Sequence, residues 1–346
     1  MLIPTARKMR SPASSIMSSA ARVAAAMLVA LSVAGCVGDG VLTGSLGSTS
    51  AATRDGEGRA ILVATTRAAA ENGARPWFGN KRGRGLTFAE ARLDGPDTSF
   101  TGRIASVVTS DWSVSRVEKV QRENAPSAFA AAALGRDVLL YVHGYRESFE
   151  TAAASAAQLA TGIGFRGAAG LFSWPSGGGT LDYGYDRESA LWSRDGLEDL
   201  LTALTQSPSG GRIHIVAHSM GSLLTLEAIR MLRASGGEPA MARLGAVVLA
   251  SPDVDIDLFT RSVERLGPDA RKITVISSTN DRALELSRRI AGGIVRAGAA
   301  DRDKLETLGV RVADASDYGG GLYVNHDLFL TSPDVQQVVK RAMERQ

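Results

Sequence analysis

The amino-acid sequence predicts an α/β fold in which helices cover both faces of a mostly parallel central sheet. From about residue 60 onward, short β-branched or apolar runs alternate with longer stretches rich in Ala and Leu. The chain has 346 residues and 44% hydrophobic content, which allows a sizeable core. No internal repeat and no second linker interrupt the alternation. We therefore expect one domain over residues 59–346.

The first 35 residues have the layout of a lipoprotein signal peptide. Arg7, Lys8 and Arg10 give it a basic start, and an apolar run at 23–33 leads into small residues. That run is shorter than the about 20 apolar residues that span a bilayer. The leader holds four of the 39 Lys and Arg residues and no Asp or Glu, so the remaining basic residues nearly balance the 36 acidic ones. We therefore expect no nucleic-acid partner.

Cys36 is the only cysteine and the predicted site of lipid attachment. With residues 33–35 it forms Val-Ala-Gly-Cys, which resembles the lipobox of bacterial lipoproteins, where the cysteine is acylated and becomes the new N-terminus. Residues 36–58 are rich in Gly, Ser and Thr and indicate a flexible tether. The resemblance implies anchoring to an envelope membrane. Because Val37 is not acidic, the resemblance further implies the periplasmic side of the outer membrane as the location, if the host has two membranes. The alternative is an ordinary signal with an incidental cysteine.

The elements of the expected domain follow from hydrophobic period and from turn residues. We predict strands at Ala60–Thr66, Leu86–Leu93, Asp137–Val142, Ala168–Ser173, Arg212–Ala217, Ala246–Ala250, Lys272–Ser277 and Gly309–Val312. We predict helices at Phe149–Thr161, Glu188–Thr205, Ser222–Ala234, Ile256–Arg265, Ala283–Ala291 and Pro333–Glu344. The segment Thr98–Pro126 has no clear period and receives no element.

Ser219 is the predicted nucleophile of a strand-turn-helix elbow. Residues 217–221 are Ala-His-Ser-Met-Gly, between a predicted strand and a predicted helix. Such a turn needs small residues two positions before and after the serine, because it holds the serine in a strained conformation with its hydroxyl exposed. Ala217 stands where glycine is usual and adds only one methyl group. The backbone N–H of Met220, at the helix N-terminus, is expected to bind an oxyanion.

A second oxyanion donor is expected in the loop after the strand at Asp137–Val142. That strand leads into His143-Gly144-Tyr145, and in this arrangement a glycine-containing loop upstream of the elbow supplies the other N–H. We assign the donor to the backbone of Tyr145. The alternative is an ordinary turn with a hydrogen-bonded histidine.

His326 is the predicted general base. The chain has four histidines, at positions 143, 214, 218 and 326. The first belongs to the oxyanion loop, the second lies within a strand and the third adjoins the serine. Only His326 lies in a loop near the C-terminus, where it satisfies the chain order of serine, acid and histidine.

Two aspartates are candidates for the acid that orients the base. Asp253 follows the strand at Ala246–Ala250, and Asp281 follows the strand at Lys272–Ser277. We prefer Asp281, because the acid normally follows the penultimate core strand. Asp253 is then expected to cap the helix that begins near Ile256, or to shape the substrate cleft.

The motifs together resemble a bacterial family of α/β hydrolases of largely unassigned function, many of which are lipoproteins. The resemblance rests on Val-His-Gly-Tyr at 142–145, Phe-Ser-Trp-Pro-Ser at 172–176, Ala-His-Ser-Met-Gly at 217–221, Ser-Pro-Asp-Val-Asp at 251–255 and Asp281. It implies the α/β-hydrolase fold, an esterase or lipase activity, and the triad Ser219, Asp281 and His326. The chain departs from the pattern after His326, where Asp327 and Leu328 stand in place of a small polar residue and an aromatic.

These inferences predict a serine hydrolase that cleaves carboxylic esters through an acyl-enzyme. We expect a small-molecule or lipid ester as substrate, no cofactor and, in the absence of a Cys/His cluster, no metal. One alternative is an amidase or acyltransferase that uses the same triad. Another is a non-catalytic envelope scaffold with this fold.

Overall fold

A sheet of nine strands organises the part of the chain that the structure describes. This structure is a computed structural model that describes residues 58–70, 75–96, 112–179, 181–208, 210–318 and 326–345. The strands are β1 (Arg59–Ala69), β2 (Phe78–Asp94), β3 (Ser113–Gln121), β4 (Val138–Val142), β5 (Ala168–Ser173), β6 (Ile213–His218), β7 (Leu244–Ala250), β8 (Ile273–Ser277) and β9 (Arg311–Asp314). Their spatial order is β3-β2-β1-β5-β4-β6-β7-β8-β9. Only β2 runs antiparallel to its neighbours, which confirms the predicted mostly parallel sheet.

Helices cover both faces of this sheet. They are α1 (Ala125–Ala132), α2 (Phe149–Gly162), α3 (Tyr183–Trp192), α4 (Arg194–Gln206), α5 (Gly221–Arg243), α6 (Ile256–Leu266), α7 (Arg282–Ile290), α8 (Arg302–Glu306), α9 (Leu328–Thr331) and α10 (Pro333–Glu344). Successive strand side chains point to opposite faces. In β4, Leu139 and Tyr141 therefore pack with α2 and α10, whereas Leu140 and Val142 pack with α1, α4, α5 and α6.

The sequence predicts most of these elements, but three differ in extent. The helix expected at Glu188–Thr205 is two helices, which are separated at Ser193. The helix predicted from Ser222 continues to Arg243, with a break at Gly237, whose φ of 57° lies outside the helical region. Strand β2 begins at Phe78, well before the expected Leu86.

Two elements, β3 and α1, are not predicted: β3 lies in the segment Thr98–Pro126, which receives no element, and α1 begins at the end of that segment and continues to Ala132. Strand β3 has valines at every third position instead of every second, and it pairs only with β2 at the sheet edge. Helix α1 has eight residues and begins at an Asn-Ala-Pro sequence without a side-chain cap. A short helix and an edge strand offer too few periodic positions for recognition.

The parallel arrangement brings four functional segments to one edge of the sheet. Strands β4, β6, β7 and β8 are mutually parallel neighbours, so their carboxyl ends meet at the same edge. Those ends lead into His143, Ser219, Asp253 and Asp281.

The predictions for the N-terminal region lie outside the described residues. These are the signal peptide at 1–35, the lipidated Cys36 and nearly all of the tether at 36–58. The division of the chain at these positions stays a prediction. Where the structure does describe the chain, none of its helices has both the length and the hydropathy required to cross a bilayer.

Candidate active site

Ser219 lies in a sharp turn between β6 and α5, as the sequence predicts. Its φ is 49°, in the left-handed region that residues other than glycine rarely occupy. The Ser219 N–H donates to the Ala250 carbonyl at 2.9 Å, and its carbonyl accepts from the Asp253 N–H at 3.2 Å. The strained serine is therefore held on both sides by the loop that follows β7.

Two glycines allow the oxyanion loop to lie against this turn. A Cβ at Gly144 would stand 2.9 Å from His218 Nδ1 and 3.0 Å from Ser219 Cβ. A Cβ at Gly221 would stand 2.4 Å from the His143 carbonyl oxygen. Side chains at either position would force the two segments apart. The small residues of the motif therefore serve the packing of β4 against β6 as well as the turn.

His326 and Asp281 form a hydrogen-bonded pair. His326 Nδ1 lies 2.7 Å from Asp281 Oδ2. The other carboxylate oxygen of Asp281 accepts the N–H groups of Ala283 at 2.9 Å and Leu284 at 3.0 Å, so Asp281 is the N-cap of α7. Capping fixes the carboxylate in the orientation that receives the imidazole.

The pairing shifts the pKa values of both groups. Burial lowers the pKa of His326, but the hydrogen bond and the charge of Asp281 outweigh burial and leave that pKa above its ordinary value. Burial raises the pKa of Asp281, but the bond and charge of His326, with the Leu284 N–H, bring it below its ordinary value. Asp281 is therefore ionised at neutral pH, and His326 is a stronger base than a free histidine.

Asp253, the alternative acid, has other partners. Its carboxylate accepts the Tyr183 hydroxyl at 3.0 Å and the Ser287 hydroxyl at 2.6 Å. Arg296 Nε lies 3.1 Å from Asp253 Oδ1, and both side chains are buried. No hydrogen bond or ion pair joins Asp253 to His326 among the residues described.

The expectation that Asp253 caps α6 is wrong. The N-cap is Asp255, whose side chain accepts the N–H groups of Asp257 and Leu258 at 2.8 and 3.0 Å. A side chain reaches the free N–H groups of a helix only from the residue at its start, and Asp253 precedes that residue by two positions.

His143 holds the predicted oxyanion loop as a neutral side chain. Its Nε2 accepts the Trp174 N–H at 3.0 Å, so its Nδ1 carries the hydrogen and donates to the Gly144 carbonyl at 2.9 Å. Burial, reinforced by the charge of Arg67, keeps the pKa of His143 well below its ordinary value. Its ring also stacks on Trp174 with centroids 4.8 Å apart.

Each predicted oxyanion donor directly follows one of the two residues that meet where Gly144 approaches Ser219. Met220 directly precedes α5, and no hydrogen bond of the described residues uses its N–H. Tyr145 lies in the turn after β4, and its hydroxyl donates to the Gly179 carbonyl at 3.0 Å. The next residue, Arg146, has a φ of 63° and donates its N–H to Asp186 at 3.2 Å. Together with the His143–Trp174 contact, these bonds tie the loop to three residues that follow β5.

Asp327, which departs from the family pattern after His326, lies beside His218. Asp327 Oδ1 lies 3.4 Å from His218 Nε2. The His218 ring lies 4.6 Å from the His326 ring and 5.0 Å from the Phe329 ring, measured between centroids. His218, the neighbour of the serine, therefore links the elbow to the loop that carries the base.

The structure thus brings Asp281 and His326 together by direct contact, and it brings the ring of His218, the residue before Ser219, against the ring of His326. No hydrogen bond joins Ser219 Oγ to His326 within the described residues. Hydrogen bonds between catalytic groups are often long without substrate and tighten when it binds. The arrangement can supply a nucleophile, a base and an orienting acid.

Sequence reasoning missed two buried arginines that support the site. Arg67 donates to Ser173 Oγ at 2.8 Å and to the Glu147 carbonyl at 2.6 Å, next to His143. Arg296 pairs with Asp253. Both arginines stand among mostly uncharged, largely apolar residues in the sequence. A charge in an apolar run is the signal that could have identified them.

No cluster of three or more His, Cys, Asp or Glu side chains suited to a metal ion occurs in the part of the chain described. The expected absence of a metal and a cofactor stays a prediction.

Among the comparisons with known proteins, a family model matches more than half of the chain. The family model described as "Alpha/beta hydrolase of unknown function (DUF900)" matches residues 123–342. A stretch of 68 residues is 37% identical to an uncharacterized protein from Nostoc sp. (strain PCC 7120), and it covers 20% of this chain but only 18% of that relative. Est1E from Butyrivibrio proteoclasticus is 13% identical over 75% of this chain and 94% of its own, with a TM-score of 0.42. An esterase from Pyrobaculum calidifontis is 15% identical over 83% of this chain and 85% of its own, with a TM-score of 0.37.

Proposed function

The chain belongs to this family of α/β hydrolases of unknown function, and we propose that it is a serine hydrolase that cleaves carboxylic esters. The observation that carries the proposal is the 2.7 Å contact between His326 Nδ1 and Asp281 Oδ2. It is supported by the φ of 49° at Ser219 and by the ring of His218, the residue before that serine, which lies 4.6 Å from the His326 ring. A base oriented by an ionised acid beside a strained serine is the arrangement that activates a hydroxyl for attack on a carbonyl.

The reaction begins when His326 Nε2 takes the proton of Ser219 Oγ as the serine attacks the ester carbonyl. Asp281 holds the imidazole by Nδ1 and stabilises the positive charge that forms on it. The backbone N–H groups of Met220 and Tyr145 stabilise the negative oxygen of the tetrahedral intermediate. His326 then returns the proton to the leaving alcohol. The same steps with water as the nucleophile release the acid.

Ser219→Ala tests the proposal, because it removes only the attacking oxygen. We expect hydrolysis of short p-nitrophenyl esters to fall on the order of 10⁴-fold or more, and labelling by a fluorophosphonate probe to disappear. Ser222→Ala is the matched control, since Ser222 is a buried serine three residues further on, whose hydroxyl donates to the Ala217 carbonyl at 3.4 Å.

Retention of half the wild-type rate by Ser219→Ala would contradict the assignment. An anilide cleaved faster than the matching ester would move the activity to amide bonds. Absence of probe labelling in the wild-type protein would indicate a non-catalytic scaffold.

We also propose that lipid on Cys36 holds the protein at an envelope membrane, with a small-molecule or lipid ester as its substrate. The support is the sequence alone: a short apolar run, the lipobox-like tetrapeptide and the tether that follows it. Stable attachment takes two lipid anchors, and diacylglycerol with an amide-linked acyl chain supplies more than one. Cys36→Ala should abolish incorporation of radiolabelled fatty acid and remove the mature protein from the membrane fraction. An unlabelled wild-type protein in the soluble fraction would refute the anchor.

A further inference from the structure

Strand β2 leaves the regular sheet between Arg82 and Thr87. Both residues pair with β1 at positions only two residues apart, so residues 83–86 bulge out opposite a single β1 residue. Residues in such a bulge have backbone N–H groups that the ladder does not use. Gly83 permits the backbone of this bulge to approach β1 closely, since a Cβ at Gly83 would lie 2.8 Å from the Arg67 carbonyl oxygen.

This bulge forms one wall of a cavity of about 420 Å³. Four arginines line the cavity, and no Asp or Glu does. The guanidinium of Arg67 is buried and already bonded to Ser173 Oγ and the Glu147 carbonyl. That leaves three exposed arginines at the cavity, which are Arg82, Arg84 and Arg122. None of these three arginines forms an ion pair within the residues that the structure describes. The folded part of the sequence nearly balances its charges, so three unpaired cations around one cavity concentrate positive potential there.

Arg82 is held in place before any ligand arrives. Its guanidinium lies 5.4 Å from the Tyr185 ring centroid and 5.7 Å from that of Trp192, within the range of cation–π attraction. Its Nε donates to Ser189 Oγ at 3.2 Å. A side chain that is already ordered loses less conformational entropy when it binds a ligand.

We propose that this cavity binds a phosphate group, carried by a soluble organic phosphate or by a phosphorylated lipid headgroup. Guanidinium groups bind phosphate through paired, charge-assisted hydrogen bonds, and unused backbone N–H groups add further donors. Three cations suit a phosphomonoester dianion better than a single carboxylate. The cavity is larger than one phosphate and leaves room for the group that carries it. None of the three triad residues lines it, and its three exposed arginines take no part in the proposed hydrolysis.

The test uses the full chain with Cys36→Ala, so that no lipid on the protein drives vesicle binding. Titration calorimetry with inorganic phosphate measures the shared chemistry. We expect the double variant Arg84→Glu and Arg122→Glu to weaken phosphate binding about tenfold or more, because each substitution replaces a charged donor by a repelling charge. Arg166→Glu is the matched control. Arg166 is exposed and forms no ion pair with any residue that the structure describes, and it precedes β5 at the amino ends of the parallel strands.

A second arm distinguishes the two sources of phosphate. The protein is sedimented with phosphatidylcholine vesicles that do or do not contain phosphatidic acid. Binding only to the vesicles with phosphatidic acid, and loss of that binding in the double variant, assign the site to a lipid headgroup. Phosphate binding without vesicle binding assigns it to a soluble phosphate. No heat with phosphate at about 10 mM overturns the proposal. The proposal is also overturned if Arg166→Glu loses as much phosphate affinity as the double variant, or if the double variant still binds phosphate. Arg84→Lys with Arg122→Lys, which keeps both charges, should retain most of the affinity and so separates charge from folding.

Discussion

The surroundings of Asp253 and Asp281 differ although their positions correspond. Each follows one of two adjacent parallel strands, β7 and β8, and each carboxylate is buried. Asp281 receives two backbone N–H groups and the imidazole of His326. Asp253 receives two hydroxyl groups and the guanidinium of Arg296.

The difference teaches that the partner, and not the place after a strand, decides the role of a buried carboxylate. The charge of Asp253 is already balanced by a buried cation, so little of it remains to stabilise a second one. The charge of Asp281 faces neutral donors and a titratable ring. It is therefore available for an imidazolium that forms during a reaction. Asp253 instead connects the elbow, through its N–H bond to Ser219, with α3 and α7.

The largest effect that this comparison predicts is on turnover. Asp281→Asn should lower kcat for ester hydrolysis about 10⁴-fold, because an amide neither fixes the tautomer of His326 nor stabilises its charged form. Asp253→Asn should retain most of the wild-type kcat. Steady-state kinetics of the two variants on one short ester provide the measurement. A larger loss in Asp253→Asn would transfer the acid role to Asp253.

The second effect is on stability and should run in the opposite direction. Asp253→Asn leaves the guanidinium of Arg296 buried without a counter-charge, and removing one partner of a buried pair lowers the free energy of unfolding by about 3 kcal/mol or more. Chemical denaturation of the variant measures this loss. Asp257→Asn, at an exposed position in α6, is the matched control and should change stability little.

A double variant sharpens the same prediction. Asp253→Asn combined with Arg296→Met removes both charges, so it should be more stable than Asp253→Asn alone. If the double variant is the less stable of the two, the ion pair is not what Asp253 contributes.

The sequence predicts the elbow well because the information is local. The small residues around Ser219, the strand before it and the helix after it all lie within about 20 consecutive residues. His326 follows from the small number of histidines and from chain order. The order of the parallel strands then brings these separate segments to one edge, which is why residues more than 100 positions apart in the sequence lie near one another.

The sequence does not reveal which buried polar groups lie against one another. Arg296 lies 43 positions from Asp253 and Arg67 lies 76 from His143, and neither spacing has a local period. The wrong assignment of the α6 cap to Asp253 has the same origin, since Asp253 and Asp255 are both plausible caps until the start of the helix is known to one residue. The bulge in β2 was also missed, because unpaired residues follow no alternation.

The smallest effect concerns the pH dependence of the reaction. Hydrolysis requires neutral His326, so kcat/KM falls as the pH drops through the pKa of that residue, which lies above its ordinary value. Asp281, Asp327 and Asp253 all raise this pKa, and the buried His218 beside the ring is neutral because burial, with the neighbouring His326, keeps its pKa well below the usual one. Asp253→Asn removes one of these negative charges and leaves the positive charge of Arg296 unbalanced. The lost negative charge and the unbalanced positive charge both disfavour the imidazolium. The acid limb of the kcat/KM profile should therefore move to lower pH.

The double variant again supplies the control, because Asp253→Asn with Arg296→Met removes opposite charges from the same place. Its acid limb should lie closer to that of the wild-type protein than the limb of Asp253→Asn does. An unchanged limb in Asp253→Asn would mean that the field of Asp253 does not reach the base. A limb displaced equally in the single and double variants would mean that Asp253 acts on His326 without compensation by Arg296. Either result would remove the electrostatic distinction between the two aspartates. A limb that moves most in Asp253→Asn and less in the double variant would support the distinction, although Asp253 makes no direct contact with His326.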